Sequence, residues 1–252
     1  MRTTTRRIGK VFICGAGPGD PKLMTLRSME LVKACDVILY DRLVSPKIID
    51  EIPSSAKRIY VGRMVGDPTT HQKRTNEIMV KYAKKGKNVL RLKGGDPFIF
   101  GRGAEEAEYL IKHRIKYEVI PGITSAIASP AYAGIPLTHR RYSSSVAIVT
   151  GHEDAEKNEP VVHWDKLACA VDTIVVLMGI GQIYEISNNL IEAGMKRVTK
   201  VTIIESGTTD KQRIIRGTLG TIPNIALKAK TKPPAVIVIG KVAGLANLKW
   251  FR

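Results

Sequence analysis

The sequence is poor in cysteine and aromatic residues and has no long apolar run. Only Cys14, Cys35 and Cys169 occur in 252 residues, an odd number, widely spaced and without a C-x-x-C pair. This argues against a disulfide framework or a cysteine zinc site and favours a reducing, cytoplasmic setting. Cys14 and Cys35 fall in apolar segments, where a free thiol packs as a small hydrophobe. The five histidines lack metal-ligand spacing, so no metal is expected. At 6% of the chain, aromatic residues offer few stacking platforms for single-stranded nucleic acid. No apolar stretch approaches the ~20 residues of a membrane span. The basic start, Met1-Arg2-Thr3-Thr4-Thr5-Arg6-Arg7, lacks the apolar core of a secretory signal and reads as a solvated tail.

Positive charge is abundant. The net charge of +17 calls for an anionic partner, either a nucleic acid or an acidic small molecule. The basic residues are scattered rather than blocked, so many of them also fit plain solubility or the surface of a heat-adapted protein. With 44% hydrophobic and 25% charged residues, the chain has the composition of a globular protein with a real core. Its length suits one large domain or two of ordinary size.

Short apolar runs alternate with helix-like segments throughout, which predicts an α/β architecture. Strands are expected at Val11–Cys14, Val37–Tyr40, Arg58–Val61, Val89–Leu92, Tyr117–Ile120, Val146–Thr150, Thr173–Leu177, Val201–Ile204 and Ala235–Ile239. Helices are expected at Leu23–Ala34, with Leu23, Leu26, Leu31 and Val32 inward, at Thr75–Lys84, at Ala104–His113, with Ala107 and Leu110 inward, at Ser125–Ala133 and at Ile183–Ala193. A boundary near Glu118 to Pro121 gives two domains, 1–119 and 120–252.

Two loops stand out. Gly15-Ala16-Gly17-Pro18-Gly19-Asp20-Pro21 is echoed by Gly94-Gly95-Asp96-Pro97, and each follows an apolar run. In each, Asp-Pro is expected to cap and start a helix, and the bare glycine backbone to admit a ligand at the carboxyl ends of parallel strands. A dinucleotide fingerprint requires a third glycine where Asp20 stands, and Asp20 and Pro18 both oppose a pyrophosphate. Asp36 and Asp41 do lie near the place of a ribose-binding acid. No Gly-Lys-Ser/Thr follows either loop, which excludes a Walker site. Gly94-Gly95-Asp96 suits a ligand with hydroxyls and an amine. Asp41, at a strand end, is a candidate general base or a turn residue paired to Arg42. Arg102, His139, Arg140 and Arg141 are candidate carboxylate anchors or ordinary surface charge. Met178-Gly179 after a strand fits either a purine contact or a core methionine.

Taken together, several blocks resemble the tetrapyrrole methylase family. They are the first glycine loop, Tyr40-Asp41-Arg42-Leu43-Val44-Ser45, Arg91 to Gly103, Pro121-Gly122-Ile123-Thr124-Ser125, Ala131 to Arg140, Val149-Thr150-Gly151-His152, Leu177-Met178-Gly179, Gly207-Thr208 and Gln212-Arg213. The resemblance covers nearly the whole chain, and the second and fourth blocks are specific to the branch that methylates uroporphyrinogen III. It implies two α/β domains with S-adenosyl-L-methionine bound between them in a homodimer, with S-adenosyl-L-homocysteine as by-product. It implies methylation of ring carbons 2 and 7 of uroporphyrinogen III to precorrin-2, a step toward cobalamin or sirohaem. Pro18, Gly94, Gly95, Asp96, Ile99, Thr124, Ser125, Met178 and Gly207 are implied cofactor contacts, and Asp41 the proton acceptor. Arg63 stands where the family has a lysine donor. An arginine stays protonated, so Arg63 reads instead as a substrate-carboxylate anchor. Gln72 and Asn76 keep the family pattern, while Lys73 and Arg74 add two cations. Arg102 and Arg140 would hold or polarise the macrocycle. Two alternatives remain: a sister precorrin methyltransferase, and an RNA-binding protein on the same fold.

Overall fold

The computed structural model describes residues 8–62, 70–151, 162–245, 248 and 250. The chain divides into two compact units, Met1–Thr124 and Ser125–Arg252. The first contains β1 (Val11–Gly15), α1 (Leu26–Ala34), β2 (Val37–Tyr40), α2 (Pro46–Asp50), β3 (Lys57–Tyr60), α3 (Thr70–Lys84), β4 (Val89–Lys93), α4 (Gly103–Lys112) and β5 (Tyr117–Ile120). Its sheet is wholly parallel, in the order β3-β2-β4-β1-β5. Strand periodicity sends Phe12, Cys14, Ile38, Leu90 and Leu92 to one face, against Leu31 and Val32 of α1 and Ile48 of α2. Val11, Ile13, Val37, Leu39 and Val89 fill the other face, against Met79 and Ala83 of α3 and Ala107 and Leu110 of α4. With both faces covered, the central strands read as continuous apolar runs.

The second unit contains α5 (Ser125–Tyr132), β6 (Val146–Thr150), α6 (Trp164–Ala170), β7 (Thr173–Leu177), α7 (Ile183–Glu192), β8 (Lys200–Glu205), β9 (Arg213–Thr218), α8 (Ile222–Lys228) and β10 (Ala235–Gly240). Its sheet is mixed, in the order β6-β7-β10-β8-β9. Only β6 and β7 run parallel; β10 pairs antiparallel with β7 and β8, and β8 with β9. Ile174, Val176, Ile203 and Ile237 pack on α7 and α8, and Val175, Leu177, Val236 and Val238 pack with Ala126 of α5.

Several expectations change. The first Asp-Pro starts only a single 3-10 turn, Pro21–Leu23, with Asp20 accepting from the Lys22 N–H at 2.9 Å. The long helix begins at Leu26 behind a new cap, Thr25, whose hydroxyl accepts from the Ser28 N–H. Ser28 therefore turns inward with Leu31 and Val32, and Leu26 is exposed. The second Asp-Pro starts no helix. The Gly103 N–H turns back to the Pro97 carbonyl at 3.0 Å, and α4 begins six residues after Pro97. Strand β9 escaped the periodicity because it is an edge strand whose charged Arg213 and Arg216 leave Ile215 as its one buried residue. Among the described residues no helix is long and apolar enough to cross a membrane.

At the carboxyl edge of the first sheet, backbone meets backbone. A Cβ on Gly15 would lie 2.5 Å from the Gly95 carbonyl oxygen and 2.6 Å from the Gly122 Cα. No side chain can yield there, so Gly15→Ala is expected to cost about 1–3 kcal/mol of stability. Gly181 has nothing within 4 Å of its hypothetical Cβ, and Gly181→Ala is expected to stay within about 0.5 kcal/mol of the parent. Urea unfolding of both variants checks the contrast, and equal losses would refute it.

Candidate active site

The two glycine loops bond to each other. The Gly95 N–H donates to the Gly17 carbonyl at 2.7 Å and the Gly17 N–H to the Gly95 carbonyl at 3.2 Å. Asp96 ties in the loop after β5: one carboxylate oxygen accepts from the Phe98 N–H at 2.8 Å, the other from the Gly122 N–H at 2.9 Å. Much of the bare glycine backbone expected to meet a ligand thus meets other backbone. Pro18, Gly94, Gly95 and Asp96 remain half-buried there, and Phe98, Ile99 and Phe100 are exposed beyond them. Thr124 is buried.

Asp41 follows β2 at the same edge of the sheet. Its carboxylate accepts from Arg91 Nη2 at 2.7 Å, and not from Arg42 as the turn reading supposed. Arg91 and Lys93 lie two residues apart on β4 and so share the face covered by α3 and α4. Glu106 of α4 meets both there: its Oε1 accepts from Arg91 Nε at 3.0 Å, from Lys93 Nζ at 2.9 Å and from Gln72 Nε2 at 3.0 Å. Gln72 also donates to Asn76, one turn along α3. Asp36 sits at the opposite end of β2, accepting from the Asn88 N–H and Lys87. It is therefore remote from the glycine loops, and the ribose-acid reading loses one of its two supports.

Arg102 adopts a left-handed conformation (φ 58°) ahead of α4, and its Nε donates to Glu105 Oε2 at 2.7 Å, with Nη2 2.6 Å from the same oxygen in an ion pair. Arg63 lies outside the described residues.

In the second unit, Ser125 opens α5, and Gly207 abuts the same helix, with a hypothetical Cβ 2.2 Å from Ser129 Oγ. Met178 leaves β7 with φ 55° and is 51% exposed, so the core-methionine reading is wrong. His139 and Ser143 exchange backbone bonds at 2.9 Å, and this turn presents Arg140 and Arg141 to solvent. They line an open cavity of about 660 Å³ with His139, Tyr142 and Leu245. The described positions thus form two groups, one in each unit.

The family model of the tetrapyrrole (corrin/porphyrin) methylases matches residues 10–223. The chain belongs to this family. The S-adenosyl-L-methionine-dependent uroporphyrinogen III methyltransferase of Methanosarcina barkeri is 48% identical over 240 residues, 95% of this chain and 94% of that protein. A siroheme synthase of Nitrosomonas europaea is 48% identical over 244 residues, 96% of this chain but 51% of that protein, so the methylase spans about half the length of that relative. Among solved structures, uroporphyrin-III C-methyl transferase from Thermus thermophilus, complexed with S-adenyl homocysteine, matches with a TM-score of 0.80 at 35% identity, covering 94% of each chain.

The buried cluster of this methylase was not foreseen as a unit. Its signals were two cations at i and i+2 in an otherwise apolar strand, and a glutamate in helical register with inward-facing Gly103 and Leu110. Burial pushes the Glu106 carboxyl up, but the Arg91 and Lys93 charges outweigh it and hold its pKa below the usual 4.5. Burial and the Arg91 charge push the Lys93 ammonium down. Arg91 is raised, because Glu106 and Asp41 overcome its desolvation.

A carboxyl whose folded-state pKa is depressed stabilises the fold fully above its unfolded value. That stability is lost as pH falls through the lower, folded value. Glu106→Gln removes this contribution and leaves two buried cations undercompensated, at a cost of about 3–5 kcal/mol near neutral pH. Thermal unfolding against pH should show the parent losing its advantage below pH 4.5. A constant gap between parent and variant down to acid pH would contradict this.

Proposed function

We infer that this chain transfers methyl groups from S-adenosyl-L-methionine to carbons 2 and 7 of uroporphyrinogen III, giving precorrin-2. One observation carries the reading: Asp41 is presented at the carboxyl edge of a parallel sheet by a buried arginine, at the edge that carries the paired glycine loops. The names of the relatives support the same substrate. Their identity of 48% over nearly the whole chain favours this branch over a sister precorrin methyltransferase.

The residues present fit the methyl donor. Each Asp96 oxygen accepts one backbone bond and keeps a second lone pair for a hydroxyl or an ammonium. In the first unit exposed Ile99 offers apolar surface, and in the second exposed Met178 offers a polarisable thioether, both of kinds suited to an adenine ring. Pro18 has no N–H to give a phosphate. Pro18, Gly94, Gly95, Asp96, Ile99, Thr124, Ser125, Met178 and Gly207 are the assigned contacts. When bound, this cofactor supplies a methyl on a cationic sulfur, open to attack by an electron-rich carbon.

Uroporphyrinogen brings the nucleophile, since its pyrrole carbons are already electron-rich. The protein must orient the ring, exclude water and take up a proton. Asp41 is the proton acceptor, and its side chain is 26% exposed and reachable. Arg102, Arg140 and Arg63 hold the acetate and propionate arms, for which guanidinium forks are suited. The enzyme works as a cytoplasmic homodimer, and its product supplies sirohaem or cobalamin synthesis. The free thiols Cys14, Cys35 and Cys169 support a reducing compartment.

Anaerobic incubation with S-adenosyl-L-methionine and uroporphyrinogen III should add the mass of two methyl groups to the tetrapyrrole. No gain with folded protein would defeat the reading. Asp41→Asn should lower kcat by about 10²-fold or more, in line with the loss of a general base. An unchanged kcat at saturating substrate would remove Asp41 from the role. Steeply salt-dependent RNA binding without turnover would favour the nucleic-acid alternative.

A further inference from the structure

We propose that Glu106 is a positioning residue for the reaction, acting on Asp41 through Arg91. The inference rests on the assignment of Asp41 as proton acceptor and extends that site inward by two residues. Glu106 has 0% of its side chain exposed, Arg91 4% and Asp41 26%, so the three run from the interior to the surface. Glu106 is sealed from substrate, and its influence must pass through the guanidinium.

The geometry gives that guanidinium one orientation. Nε donates to Glu106, Nη2 to Asp41, and Nη1 reaches the Leu92 carbonyl at 3.3 Å. The group is planar, so fixing Nε and Nη1 fixes where Nη2 points. Glu106 is held in turn from two elements, by Lys93 of β4 and Gln72 of α3. The Asp41 backbone is tied to β4 as well, its N–H donating to the Leu92 carbonyl.

Stability alone does not account for this arrangement. Glu106 Oε2 is buried and has no hydrogen-bond partner among the described residues. A buried, unpaired acceptor is a net loss, and well-packed apolar side chains often replace buried ion clusters without loss. What the cluster supplies is a fixed Nη2 at the one carboxylate that reaches solvent.

The test is a double-mutant cycle read in kcat. Glu106→Gln should lower kcat about tenfold while KM for uroporphyrinogen III and the Kd for S-adenosyl-L-homocysteine stay within about threefold. In the Asp41→Asn background the same change should lower kcat less than twofold. Gln72→Leu, which loosens Glu106 without stranding a charge, should repeat the pattern at a few-fold effect, and it decides the matter if Glu106→Gln does not fold. Equal losses in both backgrounds, or a loss carried by KM, would overturn the positioning role and leave the Asp41 assignment standing. An Asp41→Asn enzyme with the parent kcat would overturn both.

Discussion

Two cations, Arg91 and Lys93, occupy the middle strand of a sheet covered on both faces, and a single carboxylate oxygen receives both of them. Glu106 on α4 cancels one charge, and Asp41, past the end of β2, cancels the other. The buried set is therefore neutral only while a helix and a neighbouring strand end stay in place against β4. Compensation that relies on separate elements makes their relative placement a condition of folding, since a lone buried charge is far less tolerable than a lone buried methyl. The same condition fixes Asp41 at the rim of the sheet. Fold integrity and site geometry in the first unit share one set of hydrogen bonds.

The glycine loops work by a related economy of backbone. Gly17 and Gly95 pair as a two-residue bridge, Gly15 lies against Gly95 and Gly122, and Asp96 receives two further N–H groups. Three strand ends are thereby drawn together with few side chains, leaving carbonyls and remaining lone pairs at this rim for the ligand proposed above. A phosphate would seek clustered N–H donors, and here several are consumed internally. That agrees with a ligand recognised through hydroxyls, an amine and an apolar ring.

The sequence made the strands of both sheets legible wherever burial on two faces produced a plain apolar run, as in β1, β2, β7 and β10. It hid β9, where only Ile215 is buried, and it misplaced the start of α1, because Thr25 out-competes Asp20-Pro21 as the helix cap. Gly94–Asp96, Asp41 and Met178 were readable as candidates because glycine, an acid or a thioether after a strand stands out from the apolar run before it. Their partners were not. Arg91 passed as one polar interruption in an apolar strand, and Glu106 as one of several glutamates on a helix whose expected inward residues were Ala107 and Leu110. A one-dimensional pattern records which face a residue shares, and α4 meets β4 only through the crossover of a parallel sheet.

The same distinction separates the two uses of positive charge in this chain. Inside, Arg91 and Lys93 are matched one for one, so they contribute little field at a distance. Outside, Arg140 and Arg141 project to solvent from a turn held by His139 and Ser143, while half-exposed Arg102 is paired with Glu105 at the surface. Long-range attraction of a polycarboxylate depends on such exposed groups and is screened over about 8–10 Å at ordinary ionic strength. On the proposed reading, chemistry at Asp41 depends on Arg91, which is buried and little screened by salt. On that reading, added salt should act on capture of the anionic substrate far more than on the step that follows, because the proposed capture draws on exposed arginines and the proposed catalysis on a buried one.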